Sequence, residues 1–336
     1  METMAESLIL AGDVGGTKTY LALCDGRARG FAPWTEARYE TARFESLGAL
    51  LRTFVAETGE KPGCVVVGVP GPVRQLPVRA VNLPWLIHPE ELRTAVGTER
   101  VLLLNDLEAT AYGTQVLGPE DTVTLNAGTA DPEGNVAVIA AGTGLGEGGL
   151  CWTGSAYTAI SSEGGHSSFG PCNRMESQLW QYMHTRHGHI SWERILSGSG
   201  LVSVYQFLRD EGHAEEPSWL AEEMAAADDQ AEVVSRVAIQ DHCELAVTAL
   251  DMFIRMYGAE AGNLALKLMS TGGVYVGGGI APKLVDSLRN GPFMDGFLNK
   301  GRMSVALSTI PVQVVLNDKS GLMGAAYRGA QLVSGA

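Results

Sequence analysis

Positive charge is scarce in this sequence. Its 336 residues carry 24 Lys and Arg against 38 Asp and Glu, a formal net charge of −14. Phosphate backbones are held by clustered Lys and Arg, so the deficit argues against a nucleic-acid partner. Cysteine is scarce as well. Cys24, Cys64, Cys151, Cys172 and Cys243 are scattered, odd in number and never spaced as C-x-x-C. That pattern is neither a disulfide framework nor a zinc site, and it points to a reducing, cytoplasmic setting. No apolar run reaches the ~18 residues of a membrane span, so no membrane partner is expected. The opening METMAESLIL also lacks the basic start and long apolar stretch of a secretion signal.

What the chain does have is enough apolar residue for a filled core, 45% against 18% charged, over a length that suits two domains. Apolar runs at Leu8–Gly12, Cys64–Val69, Val101–Leu104, Val136–Ala141, Val274–Val276 and Val312–Leu316 read as strands. Between them, three- and four-residue apolar spacing predicts helices. They cover Ser46–Glu57 with Ser46 as N-cap, Leu107–Val116, Asn173–Arg186, Ser191–Ser197, Ala231–Tyr257 as one long helix, and Ser320–Leu332. Strands alternating with helices imply an α/β protein with mixed sheets.

Three strands run into glycine turns. Gly12–Thr19, GDVGGTKT, misses the P-loop pattern because Thr17 precedes Lys18 where a glycine is needed, and a strand follows it. Gly144–Gly149, GLGEGG, satisfies G-x-G-x-x-G, yet LCWTGSAYTAI after it is strand-like and offers no helix N-terminus for a pyrophosphate. What remains is a set of turns whose backbone N–H groups can face an anion. In an acidic chain, such amides together with a metal must attract phosphate. The set is Gly12, Asp13, Val14, Gly15, Gly16 and Thr17, then Gly142, Thr143 and Gly144, then Gly277, Gly278 and Gly279. Asp13 offers an oxygen to a hydrated Mg²⁺, and the last turn offers bare backbone to a flat adenine.

The ordered motifs GDVGGT (12–17), LLNDLEATAYG (103–113), AAGTGLG (140–146), SEGGH (162–166), ERILSGSGL (193–201) and VGGGI (276–280) resemble those of bacterial glucokinases over almost the whole chain. The resemblance implies two actin-like (ribonuclease H-like) α/β domains flanking a substrate cleft. The small domain would take residues 1–115 and 316–336, and the large domain residues 116–315. It implies phosphorylation of D-glucose by ATP with Mg²⁺, in the cytoplasm, by a protein whose relatives are commonly homodimers. A related kinase and repressor group carries a cysteine-rich zinc motif after E-G-x-x-H; here Cys172 stands alone, so that zinc is not expected. Lys18 stands where several glucokinases have Asn, and Ser168 where an acidic residue is common.

Hexoses present only hydroxyls, which carboxylates and amides recognise well. By the resemblance, Asn105, Asp106, Glu163, His166 and Glu193 contact the sugar, and Asp106 is the base for the primary hydroxyl. Plainer roles stand beside these. Asp106 suits a helix N-cap, Glu193 the first turn of a helix capped by Ser191, and His166 an exposed loop. Trp85 serves either a sugar or the core, and the acidic stretch Glu215–Asp229 reads as a solvated helix face. A kinase for another hexose, or a hexose sensor without turnover, uses the same residue types.

Overall fold

A computed structural model describes residues 7–27 and 31–334. The chain gathers into two units, each with its own hydrophobic core. The first comprises Met1–Asp121, Gly149–Ser161 and Asn317–Ala336; the second comprises Thr122–Gly148 and Ser162–Leu316.

In the first unit the apolar runs become central strands, covered on both faces. β1 (Leu8–Val14) pairs antiparallel with β2 (Lys18–Asp25), which pairs antiparallel with β3 (Pro33–Glu40). On its other side β1 lies parallel to β4 (Cys64–Val69). A short antiparallel ribbon, β5 (Val78–Arg79) and β6 (Leu86–Ile87), precedes β7 (Val101–Asn105), which is parallel to β4. The sheet order is β3-β2-β1-β4-β7. Because β1, β4 and β7 are parallel, their C-terminal ends share one edge. The register pairs Asp13 with Gly68 and Val69 with Asn105, so both predicted polar residues reach that edge.

Local rules explain the helices of this unit. Ser46 caps Leu47–Thr58 by accepting from Ala49 N at 3.1 Å, and Leu47, Leu50, Leu51 and Phe54 are buried as the spacing predicts. The final helix, Ser320–Ser334, packs on β1 and on the helix Asp106–Gly113. Trp85 is a core residue, its indole donating to Phe44 O at 3.1 Å.

The second unit begins with β8 (Thr122–Asn126), β9 (Val136–Ala141) and the start of β10 (Leu145–Trp152). The far end of β10 belongs to the first unit, where it pairs antiparallel with β11 (Tyr157–Ile160). β12 (Gly273–Gly277) and β13 (Val312–Val315) complete a six-stranded sheet ordered β11-β10-β9-β12-β13-β8, in which β9, β12 and β13 are parallel and β8 is antiparallel. Both units are thus α/β with mixed sheets, as expected.

Three readings of the sequence are corrected here. The long helix over Ala231–Tyr257 is two helices, Gln230–Ile239 and Glu244–Leu268. Asp241 takes a left-handed backbone with φ 54°, and His242 N turns back to Val237 O at 3.2 Å, which closes the first helix. Ser191–Ser197 is not helical. Trp192 N donates to Ser167 O at 3.0 Å and Glu193 N to Gly165 O at 2.8 Å, so these amides are spent on a neighbouring loop. The acidic stretch Glu215–Asp229 is not one solvated face. Glu216 accepts from the Tyr205 hydroxyl at 2.7 Å, and Asp229 caps the helix Gln230–Ile239 by accepting from Glu232 N at 3.1 Å.

Candidate active site

In the first unit, the turn between β1 and β2 is closed by Gly15 N donating to Lys18 O at 2.9 Å. Gly15 is half-buried, and Gly16 and Thr17 are exposed at its tip. Gly12 and Val14 face the core instead, so only part of the predicted set is available to a ligand. Thr41, which the sequence reading did not single out, braces the turn: its hydroxyl donates to Gly15 O at 2.8 Å and its amide to Thr17 O at 3.0 Å.

Asp13 lies behind this turn, half-buried, against the start of the final helix. A Cβ on Gly321 would sit 2.8 Å from its carboxyl carbon, so glycine is required for that approach. Burial, with the charges of Asp106 and Asp318 added, pushes the Asp13 carboxyl up to about 7. Three carboxylates that repel one another form an environment that a nearby cation relieves. Among the described residues, no three His, Cys, Asp or Glu side chains converge closely enough to hold a metal directly. The donors therefore fit a hydrated Mg²⁺ better than a fully liganded ion.

Asn105 and Asp106 stand where β7 becomes a helix. Asn105, not Asp106, is the N-cap. Its Oδ1 accepts from Leu107 N at 3.0 Å, its Nδ2 donates to Gly71 O at 3.2 Å, and its own amide donates to Glu108 Oε2 at 3.2 Å. Asp106 is the first helical residue, exposed, with Oδ1 accepting from Leu107 N at 2.9 Å.

In the second unit, the two glycine turns lie side by side. A Cβ on Gly142 would be 3.8 Å from Gly279 N, and Ile280 N donates to Ala141 O at 3.1 Å. Beneath them the buried Tyr257 hydroxyl accepts from Ala141 N at 3.2 Å and lies 3.3 Å from Gly277 O and 3.4 Å from Ile139 O. Gly142, Thr143 and Gly279 line a cavity of about 750 Å³, within the range of cofactor pockets. Gly277 is buried at the end of β12, and Gly278 turns the chain with φ 83°.

Two features of that cavity were missed in the sequence. Gly198 and Ser199 open the helix Gly198–Asp210 at its wall, presenting a positive helix end. Lys283 adds a cation. Asp228, Asp229 and Glu232 line the same cavity, so the positive features there are confined to this helix end and Lys283. The signal was present in ERILSGSGL, whose Ser197 caps the helix by accepting from Gly200 N at 3.2 Å.

The carboxylate Glu193 reaches the second glycine turn. Its Oε2 accepts from Leu145 N at 3.1 Å, and a Cβ on Gly144 would be 2.5 Å from the same oxygen. Its Oε1 lies 3.7 Å from His166 Nδ1, and His166 Nε2 lies 3.9 Å from Glu163 Oε2. Glu163 and His166 are exposed and Glu193 is half-buried. The second unit therefore brings Glu163, His166, Glu193 and Gly144 together, with acceptors pointing outward beside a phosphate-type turn.

A family model described as Glucokinase matches residues 10–332. A glucokinase from Nostoc sp. is 38% identical over 341 residues, spanning 97% of this chain and 100% of its own. Among solved structures, a glucokinase from an Antarctic psychrotroph has a TM-score of 0.84 at 30% identity, covering 96% of this chain and 98% of its own. A ROK family glucokinase from Streptomyces griseus, solved with glucose and AMPPNP, shares the fold at a TM-score of 0.59 and 22% identity, covering 95% of this chain and 98% of its own.

Proposed function

The chain belongs to the glucokinase family, and from that premise we infer that it transfers the γ-phosphoryl group of ATP to the 6-hydroxyl of D-glucose in the cytoplasm. The observation that carries this reading is the bond from Leu145 N to Glu193 Oε2. It ties a backbone turn of phosphate-binding type to a carboxylate suited to sugar hydroxyls. A nucleotide-binding or a sugar-binding module alone has no need of that link.

Each group then has a role. Asp106, ionised at its helix N-terminus, accepts the proton of the 6-hydroxyl as that oxygen attacks the γ-phosphorus and the bond to ADP breaks. Glu163, His166 and Glu193 hold the remaining hydroxyls, and Asn105 adds its amide from the same junction as Asp106. Gly142 N closes the turn by donating to Gly144 O at 2.8 Å, and Thr143 and Gly144 offer backbone N–H groups to the phosphates, helped by the helix end at Gly198 and by Lys283. Gly279 leaves open backbone for the adenine. Asp13 would hold Mg²⁺ through water, and the ion would supply charge neutralisation for the phosphate being transferred. Little covalent work falls to the protein, so positioning carries most of the rate.

A coupled assay across several hexoses and phosphoryl donors tests the reading. Glucose with ATP and Mg²⁺ is expected to give glucose 6-phosphate. Turnover of other hexoses with none on glucose would overturn the specificity, and no turnover of any hexose would overturn the activity.

A further inference from the structure

The loop Ser162–His166 rests on a group that the reaction does not use. Glu147, on β10, is 1% exposed, and a Cβ on Gly164 would sit 2.2 Å from its Oε2. Only glycine fits over that carboxyl, which is therefore the floor beneath Glu163 and His166. The same loop is clamped from two other directions. Glu193 N donates to Gly165 O at 2.8 Å, and a Cβ on Gly165 would be 2.0 Å from Leu145 O.

The other oxygen, Oε1, is buried and finds no hydrogen-bond donor. An orphaned acceptor of this kind is costly. The titratable side chain that acts most strongly on Glu147 is Glu260, fully buried on the helix Glu244–Leu268 and also a carboxylate. Two facing carboxylates have no proton between them unless one is protonated. Glu260 is already supplied: it accepts from Asn263 Nδ2 at 2.7 Å and from Lys267 Nζ at 3.0 Å. Glu147 has no such donors, so the proton belongs on Glu147.

We propose that Glu147 is a positioning residue for hexose binding, held protonated against Glu260 so that its neutral carboxyl supports Gly164 and sets Glu163 and His166. The inference rests on the reading that this loop holds the sugar. Ionising Glu147 places a second uncompensated charge in the core and loosens the loop. The surroundings agree. Burial first, then the charge of Glu260, push the Glu147 carboxyl up to about 8, with Lys267 opposing. Facing Glu147 are Glu260 and Lys267 from the long helix and Gly164 from the loop. Beyond Glu260 lie Cys172, Glu176 and Lys300, and burial lowers the Lys300 amine.

The test is the pH dependence of glucose KM in the full chain and in Glu147→Gln, at saturating MgATP. Glutamine keeps the shape and stays neutral. In the wild type, KM for glucose is expected to rise above pH 8, by up to about tenfold per pH unit if only the protonated form binds. Glu147→Gln is expected to keep a flat, low KM through that range. A KM that is flat in the active wild type, or an alkaline rise that survives in Glu147→Gln, overturns the inference while leaving the kinase reading intact. A wild type that phosphorylates no hexose at any pH overturns the kinase reading first. Infrared spectroscopy gives a readout that does not depend on turnover. In the wild-type-minus-Glu147→Gln difference spectrum at pH 7, where the Asp13 carboxyl contributes equally to both proteins, the carbonyl band of a protonated carboxylic acid is expected, and its absence overturns the assignment of the proton.

Discussion

The hydroxyl of Tyr257 accepts a hydrogen bond from Ala141 N at 3.2 Å and lies 3.3 Å from Gly277 O. One side chain thus ties the ends of β9 and β12 where both leave the sheet for their glycine turns. Tyr257→Phe keeps the ring and removes the tie. It leaves Ala141 N buried without its partner, a cost of about 1–3 kcal/mol. KM for ATP is expected to rise several-fold with KM for glucose little changed, and steady-state kinetics with each substrate varied in turn checks the split.

Asp106→Asn separates the base from a binder. Asn105 already caps the helix, so the variant should fold and bind glucose. Its kcat is expected to fall by about 10²–10⁴-fold, the usual range for loss of a general base. Glu193→Gln retains an acceptor for Leu145 N but loses charge beside His166, so KM for glucose should rise more than kcat falls. Near-normal kcat in folded Asp106→Asn removes the base assignment.

Gly144→Ala places a methyl 2.5 Å from Glu193 Oε2. The obstructing atom ends a side chain, so Glu193 can swing away and the fold should survive with a modest fall in Tm. The displaced carboxylate no longer caps Leu145 N. KM for glucose and for ATP are both expected to rise, which distinguishes this variant from Tyr257→Phe in the same assays.

Stability should depend on pH through Glu147, and the sign follows from linkage. Its folded-state affinity for a proton exceeds that of the unfolded chain from the ordinary carboxylate range up to about 8. Across that window the native state binds more protons, so stability falls as pH rises, by at most ~1.4 kcal/mol per pH unit. Glu147→Gln does not titrate. Its Tm relative to the wild type is therefore expected to climb between pH 5 and pH 8, measured by thermal unfolding at fixed ionic strength; a constant difference contradicts the buried proton.

Much of the architecture was legible because strand ends are punctuated by glycine. The runs ending near Asp13, Gly142 and Gly277 needed only local reading. The break at Asp241 did not show, since no Gly or Pro marks it and apolar spacing continues through it. Glu193 looked like a helical first-turn residue because Ser191 is a good cap. Only tertiary bonds to Gly165 and Ser167 take its segment out of a helix. Glu147 was visible merely as a letter in GLGEGG, and nothing local links it to Glu260. Asp318, which adds to the charge around Asp13, is likewise brought in by the final helix and not by any motif.

The helix Glu244–Leu268 carries Tyr257 and Glu260 three residues apart, hence on one face. The first underlies the glycine turns and the second the loop that bears Glu163 and His166. Donor and acceptor supports therefore stand on a single rod. Anything that shifts its axis, whether a distant substitution or a small molecule wedged behind it, alters both affinities together. By thermodynamic reciprocity, each substrate then senses the arrival of the other through that shared girder.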